Sequence, residues 1–482
     1  MTNKPSVTDA IRFEEACALH NKGRLEQARA LCESIVAAES HHADALHLLG
    51  VITAQTGNFA SGADLLAKAI ALHPDNPDFH ADQGLILVQL SRFEEALASY
   101  DRALTLQPGN SKVHANRGGT LYDLDRFAEA LSSYEAALAL NPDCIGAKEQ
   151  CLSLCLMQAN DTARIMQLAT EISEHHAAED AEKTRRFKAI PDYRVLHDFE
   201  QTAYLLQTDQ DIPGLREAHA GLGGALSRQR VGLAGDLIAL TEVEAGVIAR
   251  FREQVIRDPA PAFAGPSLNP DNDWAAIEDQ YFTGGPERVV IDNILSEQAL
   301  KDLQHFSMAS TIWRLEYPNR YLGAFPRGGF VSPLHLQIAN ELRQKMPRIF
   351  GEHALEQMWG FKYTSAQTAK GINVHADFAR VNLNFWITPD DANLDPQSGG
   401  MIVYDTPAPA SWSFEEYNSD PARVYAFLKD RNARAETVPY KCNRAVLFNS
   451  NLFHETDIIR FKEGYENRRI NVTYLFGRGL GV

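Results

Sequence analysis

The 482-residue sequence predicts a multidomain protein in which an all-α solenoid and a helical bridge precede an antiparallel β domain. Three observations support this fold class: a 34-residue repeat near the N-terminus, helical spacing that continues beyond the repeat, and short strand-like runs in the last part of the chain. A chain of this length exceeds one compact core. The predicted boundaries are 9–144 for the repeats, 145–258 for the bridge, 259–286 for a linker and 287–482 for the β domain.

Small, aromatic and proline residues recur at a fixed step of 34 positions in the N-terminal part. The matching sets are Gly50, Gly84 and Gly118; Phe59, Phe93 and Phe127; Ala28, Gly62, Ala96 and Ala130; Ala69, Ala103 and Ala137; and Pro74, Pro108 and Pro142. Small residues let two helices approach closely, and a proline prevents the second helix from continuing. Four units, at 9–42, 43–76, 77–110 and 111–144, resemble the tetratricopeptide repeat. The resemblance implies a solenoid whose concave groove binds a protein or peptide partner.

The next two segments lack the 34-residue repeat. Residues 145–258 keep helical spacing of apolar residues, which predicts a helical bridge that caps the solenoid. Five of the 22 prolines then fall between Asp258 and Pro286. This density predicts a linker or an extended segment that wraps the following domain.

Strand signals dominate from residue 288 onward. Two helices are expected first, at 295–306, with Ser296 as its N-cap, and at 333–350. Predicted strands follow at 359–365, 381–388, 401–404, 445–449 and 469–476. Many short strands after a helical start favour an antiparallel double-sheet barrel of the jelly-roll kind.

Composition narrows the class of partner and compartment. A net charge of −17 argues against nucleic acid or an anionic membrane surface as the main partner. No stretch approaches the roughly 20 apolar residues of a membrane span, and the N-terminus lacks the apolar core of a secretory signal. The six cysteines form no Cys-x-x-Cys pair. We therefore expect a cytoplasmic protein with reduced thiols.

The tripeptide His-x-Asp occurs four times, so it is weak evidence for a metal site by itself. Three copies, at 42–44, 73–75 and 80–82, lie in the repeats. Residues two apart on a helix point about 200° apart and cannot chelate one ion. The copies at repeat junctions have no later histidine placed to complete a site.

The fourth copy, His375-Ala376-Asp377, has different surroundings. In an extended segment residues i and i+2 point to the same face, so an imidazole and a carboxylate can bind one ion side by side. A strand-forming run follows directly, and a later strand at 445–449 delivers His454. Two histidines and one carboxylate leave three positions open on an octahedral iron(II), as in non-haem oxygenases. The sequence therefore predicts a catalytic metal site formed by His375, Asp377 and His454.

With these residues in order, 288–478 resembles the 2-oxoglutarate/Fe(II)-dependent oxygenase superfamily, most closely its prolyl-hydroxylase-like branch. The resemblance implies a double-stranded β-helix with flanking helices, Fe(II) as the metal, 2-oxoglutarate as cosubstrate and hydroxylation as the reaction. The family's Arg-x-x-x-Thr pattern matches Arg469 and Thr473, which it assigns to the distal carboxylate of the cosubstrate. Arg468 remains an alternative, because a one-residue slip in a strand swaps its faces.

Two further residues follow from the same resemblance. Tyr363, on the strand before His-x-Asp, matches a tyrosine that contacts the cosubstrate, and Asn384 is expected to point inward. The loops at 311–330 and 405–440 are expected to face the substrate. The aromatic and basic run 311–321 forms either a substrate wall or a packed flank.

Three functions stay open at this point. The first is a dioxygenase that hydroxylates a protein or peptide side chain recruited by the repeats. The second is a small-molecule oxygenase whose repeats serve assembly, and the third is a non-catalytic repeat scaffold with an inert oxygenase fold. The substrate, the oxidised atom and the oligomeric state do not follow from the sequence.

Overall fold

A computed structural model describes residues 7–208, 210–228, 237–258, 260–364 and 369–479. The chain divides into two compact units, Met1–Leu154 and Cys155–Val482. Most of the predicted helical bridge, from residue 155 on, therefore belongs to the same unit as the β-sheets.

The N-terminal unit is built from helical hairpins that follow the 34-residue period. Its helices are α1 (Val7–Asn21), α2 (Leu25–Ala38), α3 (Ala43–Gln55), α4 (Phe59–Leu72), α5 (Pro77–Gln89), α6 (Phe93–Leu106), α7 (Ser111–Asp123) and α8 (Phe127–Leu140). The repeated glycines lie where paired helices touch. A Cβ added at Gly118 would lie 2.9 Å from the ring of Tyr134, and one at Gly84 would collide with Tyr100. The period thus reflects close helix packing.

Helix α9 (Ile145–Gln158) crosses the unit boundary, and the C-terminal unit continues with helices. These are α10 (Thr162–Phe187), α11 (Asp192–Leu205), α12 (Leu215–Arg228) and α13 (Glu242–Arg252), with the short strands β1 (Ala189–Pro191) and β2 (Leu237–Ala239) between them. Buried charges join these helices. Asp198 accepts hydrogen bonds from Arg194 at 2.8 Å and from Arg252 at 2.9 Å. Gln201 of α11 also donates to the carbonyl of Ser310, which directly precedes the sheet region.

The segment predicted as a linker, 259–286, is held against the C-terminal unit where the structure describes it. It contains α14 (Trp274–Thr283). The backbone N–H groups of Ser267 and Leu268 donate to the carboxylate of Glu341 at 2.9 Å. These contacts agree with the wrapping alternative rather than with a free linker.

The remaining elements are β-strands flanked by helices. The helices are α15 (Glu297–Ala309), α16 (Pro333–Lys345), α17 (Pro347–Phe350), α18 (Phe414–Asn418) and α19 (Pro421–Asp430). The strands are β3 (Arg288–Ile291), β4 (Leu315–Tyr317), β5 (Tyr321–Ala324), β6 (Leu355–Tyr363), β7 (Ala369–Lys370), β8 (Ala379–Trp386), β9 (Met401–Pro407), β10 (Ala435–Val438), β11 (Ala445–Asn449), β12 (Leu452–Thr456), β13 (Ile458–Ile459) and β14 (Ile470–Arg478). Each of the five predicted strands has a counterpart here, with ends that shift by a few residues.

All pairings among these strands are antiparallel. A seven-stranded sheet has the order β3-β11-β8-β14-β6-β5-β4, a three-stranded sheet has the order β10-β9-β12, and β13 pairs with β7. One buried apolar cluster joins the two larger sheets, with Trp386 and Phe448 on one side and Met401 and Val403 on the other. The described strands form open sheets and no closed barrel.

None of the helices that the structure describes combines the length and the apolar character needed to cross a lipid bilayer.

Candidate metal centre and its cavity

The three residues of the predicted metal site meet because the His-x-Asp segment runs antiparallel to β12. The backbone N–H of His375 donates to the carbonyl of His454 at 3.0 Å, and His454 returns the bond at 2.8 Å. Two residues on, Asp377 N–H donates to the carbonyl of Ser450. One ligand atom from each of His375, Asp377 and His454 lies within 4.8 Å of the others. Among the described residues, this is the one group of three or more such side chains that close together.

Backbone carbonyls orient both imidazoles. Nδ1 of His375 lies 2.8 Å from the carbonyl of Asn373, and Nδ1 of His454 lies 3.0 Å from that of Leu452. A carbonyl only accepts hydrogen bonds, so each Nδ1 carries a proton, and Nε2 is the ring nitrogen left for a metal. Both Nε2 atoms face Asp377. That of His375 lies 3.8 Å from Oδ1 of the carboxylate, and that of His454 lies 3.4 Å from Oδ2. Metal-binding histidines in proteins are commonly held in this way.

Burial sets the charges of the group. Desolvation, together with the neighbouring His454, lowers the pKa of His375 to about 4. Desolvation opposes ionisation of Asp377, but hydrogen bonding and charge from His454, the charge of His375 and a hydrogen bond from Asn382 together lower its pKa. At neutral pH His375 is therefore neutral and Asp377 is ionised, which are the forms that bind a metal.

The three side chains open into a cavity between the sheets. Its lining includes all seven residues singled out from the sequence, namely His375, Asp377, His454, Arg469, Thr473, Tyr363 and Asn384. The pairing register explains this convergence, because Thr473 on β14 lies opposite Asn384 on β8. Asn384 Nδ2 donates to Thr473 Oγ1 at 3.0 Å.

Arg469 places a buried guanidinium in this cavity. It donates to the carbonyls of Gly399 at 2.6 Å and Gly400 at 3.1 Å, and to Asn471 Oδ1 at 3.2 Å. Its guanidinium carbon lies 4.9 Å from the ring centroid of Tyr363. Among the described residues, no carboxylate forms an ion pair with it. Burial lowers the pKa of Arg469. The charge of Asp457 acts in the opposite direction without forming an ion pair. A buried cation that lacks an ion-pair partner favours an anionic ligand in the same cavity.

Arg468 lies on the opposite face of the sheet. It is 1% exposed, and its guanidinium lies 2.7 Å from Glu200 of α11. The alternation of β14 thus directs Arg469, and not Arg468, into the cavity.

Tyr363 adds a phenol beside this guanidinium. Its buried hydroxyl has no hydrogen bond of standard geometry to any described residue. Burial raises the pKa of Tyr363, while the charge of Arg469 and weak interactions with Thr456 and Arg469 act in the opposite direction. An unused buried hydroxyl next to an arginine is suited to bind a ligand oxygen.

Sequence reasoning missed Asn382, which holds the candidate metal-binding carboxylate. Its Nδ2 donates to Oδ2 of Asp377 at 2.5 Å, and its side chain is fully buried. The alternation that selects Asn384 also selects Asn382, two residues earlier on the same face of β8. The alternation is visible in the sequence, but the contact between Asn382 and Asp377 is visible only in the structure.

The other His-x-Asp copies have structural roles. His42 is the N-cap of α3, where its side chain accepts the N–H of Ala45. His80 hydrogen-bonds the carbonyl of Pro74 at 2.9 Å, while Asp82 contacts His47 instead. None of them joins a third ligand within the described part of the chain.

The aromatic run at 311–321 packs against the sheet. Tyr317 and Tyr321 stack with ring centroids 4.6 Å apart, and both contact Phe361 edge-on. Tyr321 is buried in the core cluster. The packed flank, one of the two alternatives for this run, fits these contacts.

Comparison with known proteins identifies the N-terminal unit. Three overlapping stretches, 13–77, 54–111 and 81–144, match the tetratricopeptide repeat family. The N-terminal unit carries tetratricopeptide repeats. Such repeats generally mediate binding of proteins or peptides. No curated protein matches the chain.

Several solved structures resemble part of the chain. One is YrrB, described as a tetratricopeptide-repeat protein with an unusual peptide-binding site, at 21% identity, covering 33% of this chain and 82% of that one, with a TM-score of 0.30. Another is MamA, at 15% identity, covering 32% and 91%, with a TM-score of 0.31. A third is MamA from Desulfovibrio magneticus RS-1, at 13% identity, covering 35% and 93%, with a TM-score of 0.31. Because these TM-scores are low, no functional conclusion rests on the likeness.

Proposed function

We propose that the C-terminal unit is a 2-oxoglutarate- and Fe(II)-dependent dioxygenase that hydroxylates a protein or peptide side chain recruited by the repeats. In this proposal the two larger sheets are the halves of a double-stranded β-helix. One observation supports it above all others. A single cavity holds two imidazoles and a carboxylate, and it also holds a buried guanidinium, Arg469, that forms no ion pair with a carboxylate among the described residues.

The donor set fits the proposed metal. His375, His454 and Asp377 offer two imidazole nitrogens and one carboxylate oxygen, which suits iron(II) with positions left open for other ligands. Asn382 holds Asp377 by a hydrogen bond, and backbone carbonyls fix both rings. Iron(II) with 2-oxoglutarate would supply oxidising chemistry that no amino-acid side chain provides.

The other residues of the cavity fit the proposed cosubstrate. Arg469 offers a planar guanidinium for the distal carboxylate, and Thr473 and Tyr363 offer hydroxyl groups in the same cavity. The Arg469, Thr473 and Tyr363 side chains are buried, which strengthens each of these interactions. In this proposal the metal binds one end of the dicarboxylate, and Arg469 binds the carboxylate at its other end.

A protein or peptide substrate is proposed because tetratricopeptide repeats usually bind such chains. The test is capture of partners from a cell extract by the full-length chain with Fe(II) and 2-oxoglutarate, followed by mass spectrometry. We expect one captured protein to gain a single oxygen atom, and His375→Ala to abolish this gain. Captured proteins that stay unmodified while small molecules of the extract are oxidised would favour the small-molecule oxygenase.

Succinate formation tests the chemistry itself. We expect the full-length chain to convert 2-oxoglutarate to succinate in the presence of extract, and His454→Ala to stop this conversion. His73→Ala is the matched control, because it alters a His-x-Asp copy that lies in the repeats. Absence of both metal binding and succinate would contradict the proposal and favour the non-catalytic scaffold.

A further inference from the structure

The insertion between β9 and β10, residues 408–434, covers the outer side of the segments that carry the candidate metal ligands. It contains α18 and α19. The strands at its two ends pair with each other, with Ala435 opposite Tyr404. On its other edge β9 pairs with β12, which places Val403 opposite His454. The insertion is therefore joined to the strand that supplies one of the three ligands.

Apolar packing fixes the insertion on that outer side. Val374 and Ala376 alternate with His375 and Asp377, so they point away from the cavity. Both belong to a buried cluster that also holds Phe453 next to His454, together with Val424 and Leu428 of α19. Every ligand-bearing segment thus has an apolar neighbour under α19.

Glu455, which also lines the cavity, adds a polar contact between β12 and the insertion. Its carboxylate is 3% exposed and accepts hydrogen bonds from the hydroxyl of Tyr404 at 2.8 Å and from that of Tyr425 at 2.5 Å. Tyr425 belongs to α19, and Glu455 directly follows His454. A third tie comes from α18, where Asn418 Nδ2 donates to the carbonyl of Ala376 at 3.1 Å. The insertion therefore forms hydrogen bonds with a residue next to His375, Ala376, and with the residue next to His454, Glu455.

We propose that Glu455 is a positioning residue for the metal ligands, and that it holds His454 in register with the His-x-Asp segment by anchoring β12 to the insertion. This inference rests on the proposed metal site. Ligand geometry must be held to a few tenths of an ångström for tight metal binding. The His375–His454 pairing is an isolated bridge, with one backbone hydrogen bond on either side of it, from Asp377 to Ser450 and from Thr456 to Ile372. With so short a ladder, side-chain contacts outside the pair are expected to help hold its register. Removing the anchor is expected to weaken metal binding without emptying the site of its ligands.

The experiment uses Co(II) as the probe and the full-length chain as the protein. Co(II) substitutes for Fe(II), and its ligand-field spectrum reports coordination geometry. We expect Glu455→Leu to weaken Co(II) binding about tenfold or more and to change the spectrum. Glu455→Gln should restore both, because an amide can still accept from one tyrosine and donate to the other. The control is Glu436→Leu, a glutamate of the neighbouring strand β10 that pairs with Arg288.

The outcomes separate the two proposals. If the unaltered chain does not bind Co(II), the metal site itself is wrong. If it binds Co(II) and Glu455→Leu binds equally well with an unchanged spectrum, the positioning role is wrong. Binding is measured where circular dichroism shows a folded protein. If Glu455→Leu does not fold, the double variant Tyr404→Phe, Tyr425→Phe replaces it and is held to the same two criteria.

Discussion

At the scale of single residues, two pairs of residues adjacent in sequence point to opposite faces of the seven-stranded sheet. One residue of each pair lines the cavity, and the other lies on the far face. On β6, Tyr363 lines the cavity while Lys362 points away from it. Just before β14, Arg469 lines the cavity while Arg468 lies on the other face of the sheet. Lys362 is fully buried, with its Nζ 3.3 Å from the ring centroid of Tyr465 and 3.6 Å from the sulfur of Met308. Substitutions of adjacent residues on the two faces of this sheet are therefore expected to have different effects.

The two arginines form a matched pair for testing the anion site. We expect Arg469→Gln to weaken 2-oxoglutarate binding about 100-fold, because it removes a buried charge that pairs with the ligand carboxylate. Arg468→Gln should lower the melting temperature, since it removes the partner of Glu200, yet leave that affinity unchanged. Titration of 2-oxoglutarate into the metal-loaded chain measures both. The reverse order of effects would assign the role to Arg468.

Lys362 makes the stability of the C-terminal unit depend on pH. Burial, aided by Arg468, holds its pKa well below the ordinary value of 10.5. Below pH 10.5 the unfolded chain protonates this lysine while the native state does not, so stability falls as the pH falls towards the native pKa. Lys362→Met should raise the melting temperature at neutral pH by roughly 2 °C or more and flatten this dependence. Lys345→Met, at an exposed position, is the control, and equal pH slopes in all three proteins would contradict the argument.

At the scale of elements, α11 connects the helices of residues 155–258 to the sheets. Glu200 contacts Arg468 of the region preceding β14, and Tyr193 donates its hydroxyl to the carbonyl of Tyr317 at 3.1 Å. Arg320 forms two hydrogen bonds with Asp192, at 2.8 and 2.9 Å. These contacts make the helices part of the unit that holds the candidate site, although they were predicted as a separate bridge.

Asp198 is the central charge of this helical layer. It is fully buried between Arg194 and Arg252, whose charges outweigh desolvation and keep its pKa far below the ordinary range. Asp198→Asn would leave two buried guanidinium groups with weaker partners, so we expect a loss of about 3 kcal/mol of unfolding free energy. Chemical denaturation of the full-length chain measures it. Asp302→Asn, on the helix α15, is the matched control, and equal losses in both variants would show that the buried network adds little.

At the scale of the whole molecule, the chain consists of two compact units with different stabilising contacts. The first depends on close packing between neighbouring repeats, and the second on a sheet core with a buried charge network. A ligand that binds only the native form of one unit stabilises that unit alone. Calorimetry of the full-length chain therefore reports on each unit.

We expect two unfolding transitions, of which one shifts upward by several degrees when Co(II) and 2-oxoglutarate are added together. At ligand concentrations about 100 times the dissociation constant, the added stability is about 2.7 kcal/mol. The triple variant His375→Ala, Asp377→Ala, His454→Ala should abolish the shift and leave the other transition in place. A shift of both transitions, or of neither, would contradict the assignment of the site to one unit.

The repeats and five of the strands follow from the sequence alone, because periodicity is a local property. The spacing of Gly84 and Gly118 already records where helices touch. The order of His375, Asp377 and His454 predicted three side chains that lie close together in the structure. Their roles as metal ligands, and the assignment to iron and to catalysis, stay predictions.

Tertiary structure alone decided which long-range partners meet. The choice of Arg469 over Arg468 depended on the register of β14 against β6 and β8, since a slip of one residue reverses every side chain of a strand. Folding also brings Asn382 into contact with Asp377, and Tyr425 of the insertion into contact with Glu455. The boundary after Leu154 depended on which contacts each helix makes once folded, because helical spacing is the same whichever unit a helix joins.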